Sequence, residues 1–217
     1  MSAPGKEDST LVLIHGLWMH GTVMQLLASR LQGRTASRIL TYSYPSVSAG
    51  IDENVALLGE YLEGLDTPRI DLLGHSLGGV IALRTVLESQ PSAVGRIVCL
   101  GAPLVGSSAA RALQSWPGGG AIMGHAIREA VLDAPLKQWP GIPEAGMIAG
   151  NLGIGAGLLL NALDGEHDGT VCVDETRLPG LTDHIVLPVS HTGLLLSVEV
   201  ANQAAAFLRD GAFVRGD

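Results

Sequence analysis

The chain has 217 residues, of which 13 are basic and 21 acidic, giving a net charge of −8 and a hydrophobic share of 47%. This length most simply forms one core, so we expect residues 1–217 to make a single domain. The acidic balance argues against a nucleic-acid surface and gives no support to electrostatic binding to anionic lipid.

Two segments bear on where the protein resides. Residues 1–10 are polar and contain no apolar stretch of the kind found in a signal peptide, which predicts a cytoplasmic location. Residues 145–163 carry no charge, but five glycines and two asparagines interrupt them. We therefore expect no stable membrane insertion by this segment.

The first third of the chain alternates strand-like and helical segments. Residues 11–14 are a continuous apolar run typical of a buried strand, and residues 37–44 predict the next strand. Between them, residues 22–31 place apolar side chains on one helical face. Asp52 is expected to cap a second helix over residues 52–65. This order is typical of a parallel sheet with right-handed crossovers.

A G-x-S-x-G motif follows, with GHSLG at residues 74–78. The apolar residues 70–73 before it predict a buried strand, and residues 80–87 after it have helical spacing. An ordinary loop serine between two glycines would not need this context. The pattern therefore predicts a nucleophile elbow, in which Ser76 lies on a sharp strand-to-helix turn.

The glycines and the helix start of this turn have a chemical purpose. Side chains at Gly74 and Gly78 would clash where the strand and helix backbones come close. The backbone N–H of Leu77, at the helix N-terminus, can donate to an oxyanion that develops beside Ser76.

The rest of the chain continues the alternation around one irregular interval. The elbow helix is expected to run to about Gln90, and residues 109–143 are broken by prolines and glycines. Further strands are predicted at residues 97–100, 147–150 and 184–187, and the last helix at residues 194–208.

The elbow sequence GHSLGG at residues 74–79 resembles that of the α/β-hydrolase fold, and within it the small bacterial lipases and esterases. The GAPLVGS loop at residues 101–107 is similar to one frequent in lipase-like members. The resemblance covers roughly residues 10–209. It implies an α/β fold class, namely a minimal α/β-hydrolase fold with a mainly parallel sheet of about six strands flanked by helices. It also implies a small cap insertion at about 104–145.

The same resemblance implies a second oxyanion-hole donor. In this family an H-G pair follows the strand before the first helix, and the next residue supplies a backbone N–H. Here the pair is His15-Gly16, so the donor would be the N–H of Leu17. Taken without the elbow, the same residues would be an ordinary strand-to-helix loop.

A serine nucleophile needs a base and a carboxylate that orients the base. The family order is serine, acid, histidine. His191 lies just after the last predicted strand, in a sequence HTGLL that resembles the ending of small lipases. This resemblance implies that His191 is the base, with His184 as the alternative.

Several acids fit the family order. Asp168 opens DGTV, which resembles the D-G-x-V found at the acid of many lipase-like hydrolases. Asp164, Glu166 and Asp174 are also plausible by order, whereas Asp183, just before the last strand, fits less well. The implied acid is Asp168.

Nothing in the sequence points to a cofactor or a metal. Cys99 and Cys172 lie far apart and form neither a metal-binding pattern nor a disulfide framework. The acidic cluster at residues 164–168 lacks the spacing of a calcium loop or a zinc-binding helix.

The resemblance therefore implies a serine hydrolase of carboxylic esters, either an esterase or lipase-like. Its partner would be a small-molecule ester, and the apolar residues 152–163 are compatible with an apolar acyl group. A thioesterase, amidase or acyltransferase would use the same triad and is the alternative. A ligand-binding member of the fold without catalysis is a third hypothesis.

Overall fold

The structure is a computed structural model that describes residues 9–35, 38–117, 119, 125–133, 135–154 and 163–216. Its strands are β1 (Ser9–Ile14), β2 (Arg38–Tyr42), β3 (Arg69–His75), β4 (Val94–Leu100), β5 (Ala145–Gly150) and β6 (Asp183–Leu187). Within the described ranges these six strands form one sheet in the order β2-β1-β3-β4-β5-β6, with every pair parallel. The predicted α/β fold class is confirmed.

The helices follow the predicted alternation with short additional turns. They are α1 (Gln25–Leu31), α2 (Ile51–Glu63), α3 (Leu77–Ser89), α4 (Ser108–Gln114), α5 (His125–Arg128), α6 (Gly193–Leu196) and α7 (Val198–Asp210). Single 3-10 turns lie at Gly21–Met24 and Val173–Thr176, and a π-helical turn lies at Glu129–Asp133.

The core lies on both faces of the sheet. One apolar cluster joins α2 and α3 to the sheet through residues such as Leu58 and Leu72. The second joins α1 and α7 to the opposite face through Leu27, Leu73 and Phe207. Leu72 and Leu73 belong to different clusters because successive strand residues point to opposite faces. Because all the strands are parallel, their carboxyl ends meet at one edge of the sheet, where the loops can build a site.

The prediction that Asp52 caps α2 is wrong. The N-cap residue is Gly50, which has no side chain to offer, and Asp52 lies inside the first turn. The cap comes instead from Glu129, whose Oε2 accepts the N–H of Ile51 over 2.8 Å. A carboxylate from elsewhere in the chain thus satisfies the helix start that the local sequence leaves open.

The last predicted helix is two helices. Ser197 has extended backbone angles, and its side chain accepts the N–H of Val200, so a new helix begins at Val198. Val198, the first residue of this helix, is 51% exposed. Val200, Ala201 and the residues from Gln203 to Leu208 are buried.

The predicted cap interval is anchored in the main core where the structure describes it. Val131 and Trp139 are each 1% exposed and belong to the cluster that contains α2 and α3. Of the apolar segment at residues 152–163, residues 155–162 lie outside the described residues. Within the described ranges, every helix is too short or too polar to cross a membrane.

Candidate active site

The strand-to-helix turn at Ser76 has the strained backbone that a nucleophile elbow requires. Ser76 has φ 53° and ψ −123°, a region that residues with side chains rarely adopt. Its N–H donates to Leu100 O over 2.8 Å, which ties the turn to the neighbouring strand β4. The residue is 8% exposed. The serine therefore lies in a fixed position at the carboxyl edge of the sheet.

The elbow glycines are required by close backbone approach. A Cβ on Gly74 would lie 2.5 Å from the backbone of Gly78. A Cβ on Gly78 would lie 2.4 Å from the carbonyl oxygens of Ile14 and His15. Both distances are far inside van der Waals contact, so the steric reason predicted for these glycines is confirmed. Gly78 also brings the elbow helix directly against the loop after β1.

This loop, residues 15–17, is held by His15 and Tyr44. The Tyr44 hydroxyl donates to His15 O over 2.8 Å, and the Tyr44 N–H donates to His15 Nε2 over 3.3 Å. His15 Nδ1 lies 2.8 Å from Gly16 O, and the two rings stack with centroids 4.4 Å apart. Burial lowers the pKa of His15, which keeps the ring neutral so that Nδ1 donates and Nε2 accepts. No local sequence pattern marks Tyr44 for this role, because its partner His15 is 29 residues away.

The loop lies against the nucleophile. A Cβ on Gly16 would be 3.1 Å from Ser76 Cβ, so Gly16 packs directly on the serine. Leu17 follows it and packs its side chain on the core. Leu77 is the first residue of α3, where backbone N–H groups have no acceptor within the helix. Gly16, the residue before Leu17, thus lies against Ser76, the residue before Leu77.

Asp168 and His191 form a close pair. His191 Nδ1 is 2.7 Å from Asp168 Oδ2, and the His191 N–H donates to Asp168 O over 2.8 Å. The side chain of His191 is 11% exposed and that of Asp168 is 1% exposed. Because a carboxylate only accepts, Nδ1 carries the hydrogen, and Nε2 retains the lone pair of a base.

The other oxygen of Asp168 is held by its own loop. Oδ1 accepts the N–H groups of Thr170 and Val171 over 2.9 and 2.8 Å. Asp168 N–H in turn donates to Val171 O over 3.1 Å. The D-G-x-V sequence therefore makes a turn that fixes the carboxylate of Asp168. The hydrogen bonds to its two oxygens come from backbone N–H groups and from His191.

Gly101 makes room for this pair. A Cβ there would lie 3.0 Å from Asp168 Oδ2, 3.2 Å from His191 Nδ1 and 2.6 Å from Leu194 Cδ1. Gly101 also has φ 54°, which favours glycine. The loop that begins at Gly101 is visible in the sequence, but this contact is not, because it joins segments far apart in the chain.

The alternative residues have other partners. His184 Nε2 is 2.8 Å from Thr176 Oγ1, and burial lowers its pKa to about 4. Asp183 is paired with Arg215 at 2.6 Å. Their partners do not include Ser76 or His191.

Of the three other acids that the sequence left open, Asp164 is exposed, and Glu166 and Asp174 have partners elsewhere. Glu166 accepts from the Asn151 side chain over 3.2 Å, and Asp174 pairs with Arg177 at 3.4 Å with a side chain that is 96% exposed. Of the candidate acids with described contacts, Asp168 is the one that contacts His191. Among the described residues, no group of three or more His, Cys, Asp and Glu side chains is placed to hold a metal ion.

Solved structures share this fold. Bacillus licheniformis lipase BlEst2 in its mature form superposes with a TM-score of 0.74 at 19% identity, covering 95% of this chain and 93% of that chain. The type II thioesterase BorB from the borrelidin biosynthetic cluster superposes with a TM-score of 0.61 at 16% identity, covering 96% and 93%. At these identities the likeness establishes the fold alone.

Sequence comparison adds a relative and a family. The chain is 36% identical over 102 residues to the sn-1-specific diacylglycerol lipase ABHD11 of Danio rerio, a match that covers 43% of this chain and 32% of that protein. The match thus spans about a third of the relative's length. The model of the alpha/beta hydrolase family matches residues 11–200. With the parallel sheet and the elbow at Ser76, this match shows that the chain belongs to the alpha/beta hydrolase family.

Proposed function

We propose that the protein is a serine hydrolase that cleaves carboxylic esters, with Ser76 as nucleophile, His191 as base and Asp168 as the acid that orients it. The observation that carries the proposal is the 2.7 Å hydrogen bond between His191 Nδ1 and Asp168 Oδ2. The loop that holds His191 packs against the elbow. The rings of His191 and His75, the residue before Ser76, lie 4.7 Å apart. This contact supports the assignment of His191 as the base that acts on Ser76, with Asp168 as its orienting acid.

The first half-reaction is acylation of Ser76. His191 Nε2 takes the hydroxyl proton while Oγ attacks the ester carbonyl carbon and the C=O electrons move onto oxygen. The N–H groups of Leu17 and Leu77 donate to this oxyanion, as electrostatic stabilisation by positioned donors requires. The intermediate collapses, the C–O bond to the alcohol breaks, and His191 gives the alcohol its proton. Asp168 stabilises the imidazolium that forms between the two transfers.

The second half-reaction returns the enzyme to its starting state. His191 deprotonates a water that attacks the acyl carbonyl, and the same two N–H groups hold the second oxyanion. Ser76 Oγ leaves and recovers the proton from His191, which releases the carboxylic acid. Throughout, the Asp168–His191 hydrogen bond keeps the proton on Nδ1 and the basic lone pair on Nε2.

Apolar side chains near the site support an apolar acyl group. Leu194 lies against Gly101 beside the acid–base pair, and Leu17 packs on the core next to the elbow. The N–H of Leu152 donates to Val189 O over 3.1 Å, two residues before His191. Leu152 and Ile154 are 45% and 64% exposed on this segment. The names of the lipase relatives agree with this class of substrate.

The test is hydrolysis of p-nitrophenyl esters from acetyl to palmitoyl, with Ser76→Ala measured beside the wild type. Ser29→Ala is the matched control because its exposed hydroxyl only bonds Leu26 O on the far helix α1. We expect Ser76→Ala to abolish turnover without changing the fold, and Ser29→Ala to retain it. Full activity in a clean Ser76→Ala preparation would contradict the proposal.

The chain-length profile sharpens the substrate class. A rate that peaks at short acyl chains means an esterase with a shallow pocket, and a peak at long chains means a lipase-like enzyme. Hydrolysis of a thioester or an amide, with no hydrolysis of an oxygen ester, would favour a thioesterase or an amidase. Ester exchange with an added alcohol would reveal an acyltransferase. Absence of Ser76-dependent turnover on all of them would favour a binding protein.

A further inference from the structure

His75 is a buried histidine that the proposed mechanism does not use. It is the last residue of β3, immediately before Ser76, and it is 0% exposed. Burying an imidazole costs free energy unless its nitrogens find partners. Its hydrogen bonds therefore show what the ring does at this position.

One nitrogen of His75 holds the base. Nε2 lies 3.1 Å from the backbone carbonyl oxygen of His191. A carbonyl oxygen only accepts, so Nε2 must carry the hydrogen and His75 must be the Nε2–H tautomer. The His191 backbone is then held on both sides, since its N–H donates to Asp168 O over 2.8 Å.

The other nitrogen faces residues 15–17, the oxyanion loop of the proposed mechanism. Nδ1 has no hydrogen-bond partner in the described part of the chain. It lies 3.1 Å from the place where a Cβ on Gly16 would be, so the ring fills the space between the Gly16 backbone and the His191 loop. An unpaired buried acceptor is unfavourable, and such groups persist where the position itself is useful.

The ring remains neutral over the range in which a hydrolase of this type works. Complete burial lowers the pKa of His75 to about 3, with the nearby His191 ring adding to the effect. Because it does not ionise near neutral pH, His75 cannot compete with His191 as a base. Its donor to His191 O is present throughout that range.

We propose that His75 is a positioning residue that ties the His191 loop to the nucleophile strand through its Nε2–H. This inference rests on the proposed serine hydrolase function. Ser76 is the next residue in the chain, so the hydrogen bond links the base to the nucleophile through one residue of backbone. The hydrogen bond to Asp168 orients the imidazole of His191. It does not fix the distance between the His191 loop and the elbow. His75 sets that distance.

Two substitutions distinguish a hydrogen-bond role of His75 from a space-filling role. The glutamine side chain in His75→Gln can present an amide N–H at a reach similar to that of Nε2, whereas His75→Met fills similar volume without a donor. We expect His75→Met to lower kcat on the best p-nitrophenyl ester by about 10- to 100-fold, the scale of a small misplacement of reacting groups. KM and the thermal midpoint should change little, and His75→Gln should keep most of the wild-type kcat. A His75→Met variant with wild-type kcat, or a His75→Gln variant that is equally impaired, would overturn the proposal.

A second measurement does not depend on the substrate. In protein labelled with 15N-histidine, long-range 1H–15N spectra of the full chain distinguish the tautomers of each ring, and the signals lost in His75→Gln assign the His75 ring. We expect the neutral Nε2–H tautomer from pH 5 to 9. An Nδ1–H tautomer, or titration of this ring in that interval, would overturn the inference. If no ester is hydrolysed, the proposed function fails, and the same variants are compared by the rate at which a fluorophosphonate labels Ser76.

Discussion

The nucleophile side of the candidate site and its acid–base side reach their order by different means. On the nucleophile side, close backbone contacts decide the geometry: Gly74 and Gly78 lie where any side chain would overlap main-chain atoms. On the acid–base side, a side-chain hydrogen bond joins Asp168 to His191 between separate loops, and the Asp168 loop holds the other carboxylate oxygen. Substitutions on the nucleophile side should therefore lower the stability of the fold, whereas substitutions on the acid–base side should lower activity and leave the fold intact.

The largest expected effect is on the nucleophile side. Gly78→Ala would place a methyl group 2.4 Å from the carbonyl oxygens of Ile14 and His15, so the elbow helix or the oxyanion loop must move. We expect loss of esterase activity together with a lower thermal midpoint, measured by turnover and by circular dichroism on the same samples. Gly64→Ala is the control, since its Cβ would make ordinary contacts of 3.5 Å or more. If Gly78→Ala is as stable and active as Gly64→Ala, the steric account of the elbow is wrong.

The next effect belongs to the acid–base side. Asp168→Asn preserves shape but removes the charge and offers the wrong partner to His191 Nδ1–H. We expect kcat to fall by about 10,000-fold, the scale of the same change in serine proteases, with an unchanged thermal midpoint within a few degrees. Asp174→Asn, on the same segment but with a side chain that is 96% exposed, should retain activity. Equal activity in the two variants would remove Asp168 from the mechanism.

The smallest expected effect tests the hydrogen bond from Tyr44 to the oxyanion loop. Tyr44→Phe deletes the hydroxyl that donates to His15 O but keeps the ring stacked on His15. One hydrogen bond contributes about 1 kcal/mol, so we expect kcat/KM to fall by about fivefold as the loop that carries Leu17 loosens. Tyr61→Phe, whose ring packs on Tyr42 away from this loop, is the control. A Tyr44→Phe rate equal to that of Tyr61→Phe would mean that the hydroxyl does not support the loop.

The same contrast explains which features could be predicted from the sequence. The elbow is local: strand, turn and helix are adjacent in the chain, and the glycines at 74 and 78 carry the steric signal themselves. The parallel sheet followed from the alternating apolar runs, and the turn at residues 168–171 holds its own aspartate. The elbow and the Asp168 turn are each formed by residues adjacent in the chain, and the strands and helices show local apolar patterns even though the sheet pairs distant strands, so short sequence patterns are sufficient to predict them.

Features that depend on distant segments were missed or predicted wrongly. Asp52 was expected to cap α2, but the carboxylate that does so belongs to Glu129, 78 residues from its partner Ile51. The close approach of Gly101 to the acid–base pair joins three loops, and the His75 contact to His191 spans 116 residues. No local pattern encodes such pairings, because they arise only when the sheet brings its carboxyl ends together.

The most direct measurement of the central claim is mass spectrometry of the protein after reaction with a fluorophosphonate. An activated serine attacks phosphorus and displaces fluoride, whereas an ordinary buried serine does not react at a useful rate. We predict one label per chain, on the peptide that contains Ser76, and strongly slowed labelling in Asp168→Asn. A label on another serine, or no label on folded wild-type protein, would contradict the assignment of Ser76, His191 and Asp168 as a working triad.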